Sequence, residues 1–194
     1  TVVPCGSSVQ LDASATGGSF ALYNNFNNGN AGAGWQTTSS AQFNNPCVGQ
    51  TGSADGTTHL WMGSSSSVPR SLTSVPLDLS SGGAISFDMV YSIQGANAPC
   101  EGPDLPNEGV YLQYSLDGGI TWITMNYWDP LGGNDPTLTS WNNYTIPIPP
   151  AASQNNVLIR WIQTADSNAG YDHWGLDNIE IQVTQPGNFS WNIS

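Results

Sequence analysis

Apolar residues along this chain recur in short runs with a two-residue period. The alternation is clearest in Val110-Tyr111-Leu112-Gln113-Tyr114 and in Val157-Leu158-Ile159-Arg160-Trp161-Ile162. That is the signature of a strand with one face buried. Nothing sustains the 3.6-residue period of an amphipathic helix. Runs of β-branched and aromatic residues bounded by Gly, Asn, Asp, Pro and Ser predict strands near 7–12, 19–26, 57–63, 70–79, 83–92, 108–115, 120–127, 141–148, 155–164 and 174–183. Gly (22) and Pro (13) punctuate the runs every few residues. About ten strands without crossover helices predict an all-β fold, an antiparallel β-sandwich (jelly roll) with an inserted β-hairpin.

Between these runs lie long polar loops at 27–56, 93–107, 128–140 and 165–173. Loops of such length in a compact domain tend to carry function, metal or a disulfide. The expected division is an N-terminal strand or the end of a preceding module at 1–18, the sandwich at 19–184, and a linker or the start of a next module at 185–194. The opening Thr1-Val2-Val3-Pro4-Cys5 reads as the edge of an excised or mature fragment, and Gln185-Pro186-Gly187-Asn188 as a linker turn. No run approaches the ~18–20 apolar residues of a membrane span, so membrane insertion is not expected.

Charge changes the picture. Arg70 and Arg160 are the only basic residues, against fourteen acids, for a formal charge of −12. Nucleic acid and anionic membranes, which need Lys and Arg to offset phosphate, are excluded as partners. Cations suit the chain. The three cysteines, Cys5, Cys47 and Cys100, have no metal-site spacing. Their odd number predicts one disulfide and a leftover thiol in an exported protein. Cys47 with Cys100 is the preferred pair, and Cys5 with Cys47 stays open. Sequons begin at Asn143, Asn188 and Asn192.

The sharpest local signal is Ser115-Leu116-Asp117-Gly118-Gly119-Ile120-Thr121-Trp122, which follows the S-x-D-x-G-x-T-W pattern of the Asp-box. Glycines supply positive φ where two strands meet. The Asp117 carboxylate accepts N–H bonds within the turn, as short acidic side chains do. Ser115, Gly119 and Thr121 complete the turn, and Trp122 is expected on the buried face, pinning the hairpin. Asp117 is thus a fold element rather than a catalytic acid.

From this hairpin outward the chain resembles a reelin repeat. Glu108-Gly109-Val110-Tyr111-Leu112-Gln113-Tyr114-Ser115 runs into the box, followed by Leu158-Ile159-Arg160-Trp161-Ile162-Gln163 and then Trp174-Gly175-Leu176-Asp177-Asn178-Ile179. Upstream, Phe26 to Trp35, Cys47-Val48-Gly49 and His59-Leu60-Trp61-Met62 fall where that family has its entry strand, a cysteine-bearing segment and a second strand. The resemblance covers about residues 20–183 and extends to MAM-type and carbohydrate-binding jelly rolls. It implies a secreted or cell-surface, non-catalytic adhesion module held among neighbouring modules of the same chain, with a protein or glycan ligand. The lysine-free, Asn/Gly/Thr-rich style looks like the surface adhesins of gliding bacteria. Animal reelin's receptor-binding surface depends on lysines, so that mode of binding is not carried over.

The same resemblance implies a structural calcium ion, and calcium's demand for six to eight oxygen ligands agrees with the composition. Asp177, opening the last strand, is the leading ligand, with Asp55 and Asn27 or Asn28 as companions. A second candidate cluster is Glu101, Asp104, Asn107 and Glu108, whose carboxylates would repel unless solvated or bridged by a cation. The alternative function, a carbohydrate-binding module, rests on loop aromatics. Trp128 and Trp141, with Tyr127 and Tyr144, are the expected exposed platform, while Trp122, Trp161 and Trp174 are expected in the core. Arg160, a cation in an apolar strand, is expected in a half-buried ion pair or bonded to loop carbonyls. His59 and His173 lack metal-type spacing; His173 is expected at the surface or as a minor ligand. No G-x-S-x-G elbow is present. A hydrolase would need two carboxylates across a cleft.

Overall fold

The computed structural model describes residues 11–12, 19–64, 68–95, 100–133, 135–184 and 192–193. Their alternating runs form strands β1 (Leu11–Asp12), β2 (Ser19–Asn24), β3 (Trp35–Ser39), β4 (Leu60–Met62), β5 (Arg70–Ser74), β6 (Gly83–Tyr91), β7 (Val110–Ser115), β8 (Ile123–Trp128), β9 (Asn142–Pro147), β10 (Leu158–Gln163), β11 (Trp174–Val183) and β12 (Asn192–Ile193). A single helical turn, α1 (Val48–Thr51), and a 3-10 turn at Pro150–Ala152 complete the elements. Every strand pairing is antiparallel. One sheet runs β3-β5-β10-β7-β8 and the other β2-β11-β6-β9, with β4 added to β11 and β1 paired with β12. The two large sheets face each other as a jelly-roll β-sandwich.

The period-2 pattern fills the space between them. Ile85, Phe87 and Met89 of β6, Val110, Leu112 and Tyr114 of β7, and Ile159 and Trp161 of β10 point inward and are buried. Each such side chain contributes roughly 1.5–3 kcal/mol by leaving water. Phe87 meets Trp161 and Trp128 edge-on, at 5.1 and 5.5 Å between ring centroids. A second, smaller cluster of Cys47, Trp61 and Val90, joined by Cys100 and Trp141, packs apart from this core. Cys47 and Cys100 form a disulfide with Cα atoms 5.4 Å apart. Gly175 of β11 faces this cluster. A Cβ there would lie 2.8 Å from Trp61 Cε3, so the close approach of the indole requires glycine.

Several expectations need correction. The 27–56 segment is not one loop: it contains β3 and α1. Only Trp35 of β3 is buried, and the other four residues are exposed at the sheet edge, so no alternation marks the strand. The strand expected over 70–79 ends at Ser74, leaving Leu77 in an isolated bridge to Val157. The strand expected from 120 begins at Ile123, because the Ser115–Trp122 turn consumes the residues before it. Cys5 lies outside the described residues, as do the sequons at Asn188 and Asn192 in large part.

Candidate functional site

β11 carries Asp177 at an irregularity. Leu176 is paired with Met89 and Asp177 with Asp88, but the register shifts before Glu180, and Asn178 takes φ +48°. Such a bulge inserts a residue and re-aims its side chain. Asp177 is fully buried. Its Oδ1 accepts the Asn178 N–H at 2.8 Å, whereas Oδ2 has no hydrogen-bond partner among the described residues. Burial, reinforced by the nearby Asp55 and Asp88 carboxylates, pushes its pKa up to about 7. A buried carboxylate oxygen left without a donor is costly and asks for a proton or a cation.

The groups around it differ in readiness. Asp88 is engaged: its oxygens accept from the Asn143 and Asn178 amides, each at 2.9 Å. Asp55 is exposed; it accepts the Thr57 N–H at 2.9 Å and the Thr57 hydroxyl, and that hydroxyl bond in particular lowers its pKa. The Asn27 carboxamide lies against the same loop, 3.3 Å from the Thr58 carbonyl. The expected companions Asp55 and Asn27 therefore converge on one loop with Thr57. Asn28 keeps to its own loop, where its carbonyl accepts from the Asn30 amide at 3.2 Å. Asp88, supplied by β6, went unpredicted; its place opposite Asp177 depends on strand register.

The second acidic cluster assembles differently from its sequence reading. Asp104, Glu108 and Asp172 bring carboxylate oxygens within 4.8 Å of one another, and Asp172 comes from the loop before β11. Glu101 instead bonds the Gln94 amide at 3.1 Å, and burial raises its pKa. Glu108 is buried, which alone would raise its pKa. The N–H groups of Leu105 (2.9 Å) and Asp104 (3.2 Å) and the Ser167 hydroxyl (2.9 Å) outweigh burial and hold it low. Asp104 is raised, first by burial and then by Glu108. Asp172 is raised to about 7 by burial, with Glu108 adding to it against a Ser167 N–H bond of 2.5 Å.

Beside this cluster sits Arg70, fully buried and paired with Asp166 at 2.7 Å. It also donates to Gln163 Oε1 (2.9 Å) and to the carbonyls of Tyr171 (2.8 Å) and Asp172 (2.9 Å). The loop-clamping role expected of Arg160 belongs to Arg70. Arg160 lies on the outer face of its sheet, stacked 3.8 Å above the Trp122 ring, with Nε donating to Gln113 Oε1 at 2.8 Å.

Trp122 is accordingly half-exposed on that outer face rather than in the core. The turn before it closes as expected: Asp117 accepts from the Ser115 hydroxyl (2.8 Å), the Thr121 N–H (2.9 Å) and the Thr121 hydroxyl (2.5 Å). Thr121's hydroxyl, then its N–H and the Ser115 hydroxyl, pull the Asp117 pKa down to about 2. Gly119 N–H donates to Ser115 Oγ at 2.8 Å, and Trp122 Nε1 to the Gly119 carbonyl at 2.9 Å.

The aromatic platform expected on the 128–140 loop does not exist as such. Trp128 is buried at 6% exposure, and Tyr144 packs half-buried against the same core, 5.2 Å from Trp128 between centroids. Trp141 belongs to the disulfide cluster. Tyr127 is half-buried, donating to the Pro106 carbonyl and accepting the Gly109 N–H at 3.0 Å. Loop aromatics here fix their own loop by burying ring area. His173 is also in the interior rather than at the surface. Its Nδ1 accepts the Trp61 indole N–H and its Nε2 meets the Gly170 carbonyl, both at 2.9 Å, and burial lowers its pKa to about 4. His59 is buried too, its Nε2 2.9 Å from the Asn45 amide.

Among the described residues no helix is long and apolar enough to cross a membrane. A family model for reelin subrepeat B matches residues 29–182. Solved structures share the fold at low sequence identity. The K3 cleaved adhesin domain of Lys-gingipain from Porphyromonas gingivalis is 15% identical with a TM-score of 0.57, over 86% of this chain and 99% of that one. The K1 cleaved adhesin domain of the same protein is 20% identical with a TM-score of 0.51, over 84% and 98%. The N-terminal CBM22 tandem of Paenibacillus barcinonensis Xyn10C is 13% identical with a TM-score of 0.52, and 91% of this chain spans 49% of the tandem.

Proposed function

Because the chain belongs to the reelin subrepeat B family, we propose that it is a non-catalytic, extracellular adhesion module whose loops are tied together by calcium. The fold shared with gingipain adhesin domains supports the adhesion part. The histidines support the non-catalytic part, since His59 and His173 are buried and committed to internal partners. The Asp104–Glu108–Asp172 cluster is closed over by backbone and Ser167 donors, which makes it a brace between loops rather than a reaction centre.

One observation carries the calcium part: the buried Oδ2 of Asp177, which has no hydrogen-bond partner among the described residues, with the Asp55 and Asp88 carboxylates in electrostatic reach. Asp177 would be the anchoring ligand, with Asp55, which interacts with it electrostatically, and Asn27, which lies against the Thr57–Thr58 loop, as additional oxygen donors. The ion would supply the positive charge that Asp177 lacks and join β11 to the 25–28 and 55–58 loops. That donor set is all oxygen, as calcium requires. Bound metal stabilises the folded state by mass action, about 2.7 kcal/mol at a hundredfold excess over Kd. In a domain of this size that raises Tm by roughly 5–10 °C.

The test is thermal unfolding of the domain with 2 mM calcium, then with chelator, then with magnesium. Calcium is expected to raise Tm and magnesium not to, and Asp177→Asn to remove the difference. An identical Tm in calcium and chelator would dismiss the metal and leave Asp177 protonated in a dry site.

A further inference from the structure

Arg160 is a cation with no anion in ion-pair contact among the described residues. Burial alone, with no neighbouring acid, shifts its pKa. Yet it is held rigidly, one face on the Trp122 ring and Nε on Gln113, whose own amide nitrogen donates to Thr124 Oγ1 at 3.1 Å. The two terminal nitrogens, Nη1 and Nη2, make no hydrogen bond to the described residues. A pinned guanidinium with both outer nitrogens open is preorganised for two parallel bonds to one carboxylate.

The surrounding sheet face fits the rest of such a ligand. Arg160 pairs with Gln113 of β7 and Thr73 of β5, and two residues along, Ile162 pairs with Tyr111 and Ser71. Tyr111 and its cross-strand partner Tyr127 bring their rings to 4.2 Å. The two rows are separated by about 7 Å, the two-residue rise of a strand. That distance spans a pyranose ring and its exocyclic carboxylate. Aromatic surface lies at one end beside the buried Ile162, and the guanidinium lies at the other beside the Gln113 amide. The net charge of −12 narrows the choice further. A polyanion is repelled by the rest of the molecule more strongly than a sugar with one carboxylate, and salt screens that repulsion beyond a Debye length of about 8 Å.

We propose that the outer face of the β3-β5-β10-β7-β8 sheet binds an acidic sugar residue, with its carboxylate on Arg160 and its ring against Tyr111. This rests on the reading of the chain as an interaction module and names the chemistry of its ligand. The probes are sialyllactose against lactose, and digalacturonate against its methyl ester, titrated calorimetrically into the calcium-loaded domain. At least one acid is expected to bind about tenfold or more tighter than its neutral counterpart. Arg160→Gln is expected to abolish that preference with Tm within a few degrees of wild type, and Arg160→Lys to restore only part of it. The ester comparison reads the same contact in the native protein, so the test does not depend on a variant folding.

Equal binding of acid and neutral forms, or no binding of either acid, overturns the proposal. Equal binding of a Gly-Glu-Gly tripeptide also overturns it, by making the ligand a protein carboxylate. Adhesion of the immobilised domain to a cell surface separates the two readings. Adhesion kept in both wild type and Arg160→Gln sinks the sugar site alone, and its absence from wild type sinks the module reading.

Discussion

Asp172 carries a proton in the folded domain to about pH 7, because it is buried and faces Glu108. Asp104 and Glu108 from the 101–109 loop, and Arg70 from β5, are the charged groups around it, with Asp166 paired to Arg70. In the unfolded chain an aspartate loses its proton near pH 3.9. The stability contributed by this raised pKa is therefore complete below about pH 4 and is lost as pH rises to about 7. With chelator present, urea unfolding is expected to show stability falling across that window, with Asp172 and Asp177 each contributing at most about 1.4 kcal/mol per pH unit. Asp172→Asn keeps the acceptor for the Ser167 N–H and should reduce the slope; an unchanged slope would remove Asp172 as its source. Asp117 behaves oppositely: its lowered pKa contributes stability above about pH 4 that is lost as pH falls toward 2.

At the scale of elements, the Ser115–Trp122 turn was legible because its bonds are local. Ser115, Asp117, Gly119 and Thr121 find one another within six residues, so the spacing itself encodes the contacts. The face on which Trp122 lands was not encoded, since that depends on Arg160 arriving from a strand 38 residues later. β3 escaped for a related reason: an edge strand with a single buried residue has no pattern to read. The disulfide links segments 53 residues apart, clamping the 40–51 region over Trp61 and Trp141. Closing a loop of that length removes about 4 kcal/mol of unfolded-state entropy. Cys47→Ser should lower unfolding free energy by about that amount, and reductant should do the same to wild type. A loss below about 1 kcal/mol in denaturant titration would mean that the bond does not restrain the unfolded chain.

Across the whole molecule, charge and fold together restrict proteolysis. Arg70 and Arg160 are the only Lys or Arg residues, and both sit in inner strands of one sheet. Cleavage after either requires the sheet to open, which costs close to the global unfolding free energy. Trypsin should therefore leave the native domain intact at concentrations that cut it after both arginines in urea; native cleavage at Arg160 would show that β10 opens locally. The sequence by itself determined the all-β class, most strand positions, the hairpin turn, the acidic cation-friendly character and the family resemblance. These depend on period-2 burial, near-neighbour hydrogen bonds and composition, which are properties of contiguous residues. Only the tertiary structure decided where each aromatic packs, burying Trp128, setting Trp141 partly buried against the disulfide cluster and leaving Trp122 on the outer face under Arg160. It also brought Asp172 to Glu108, set Asp88 opposite Asp177, and gave the buried ion pair to Arg70 rather than Arg160. Each of those outcomes turns on sheet order, register and a bulge in β11, where a one-residue shift exchanges inside for outside.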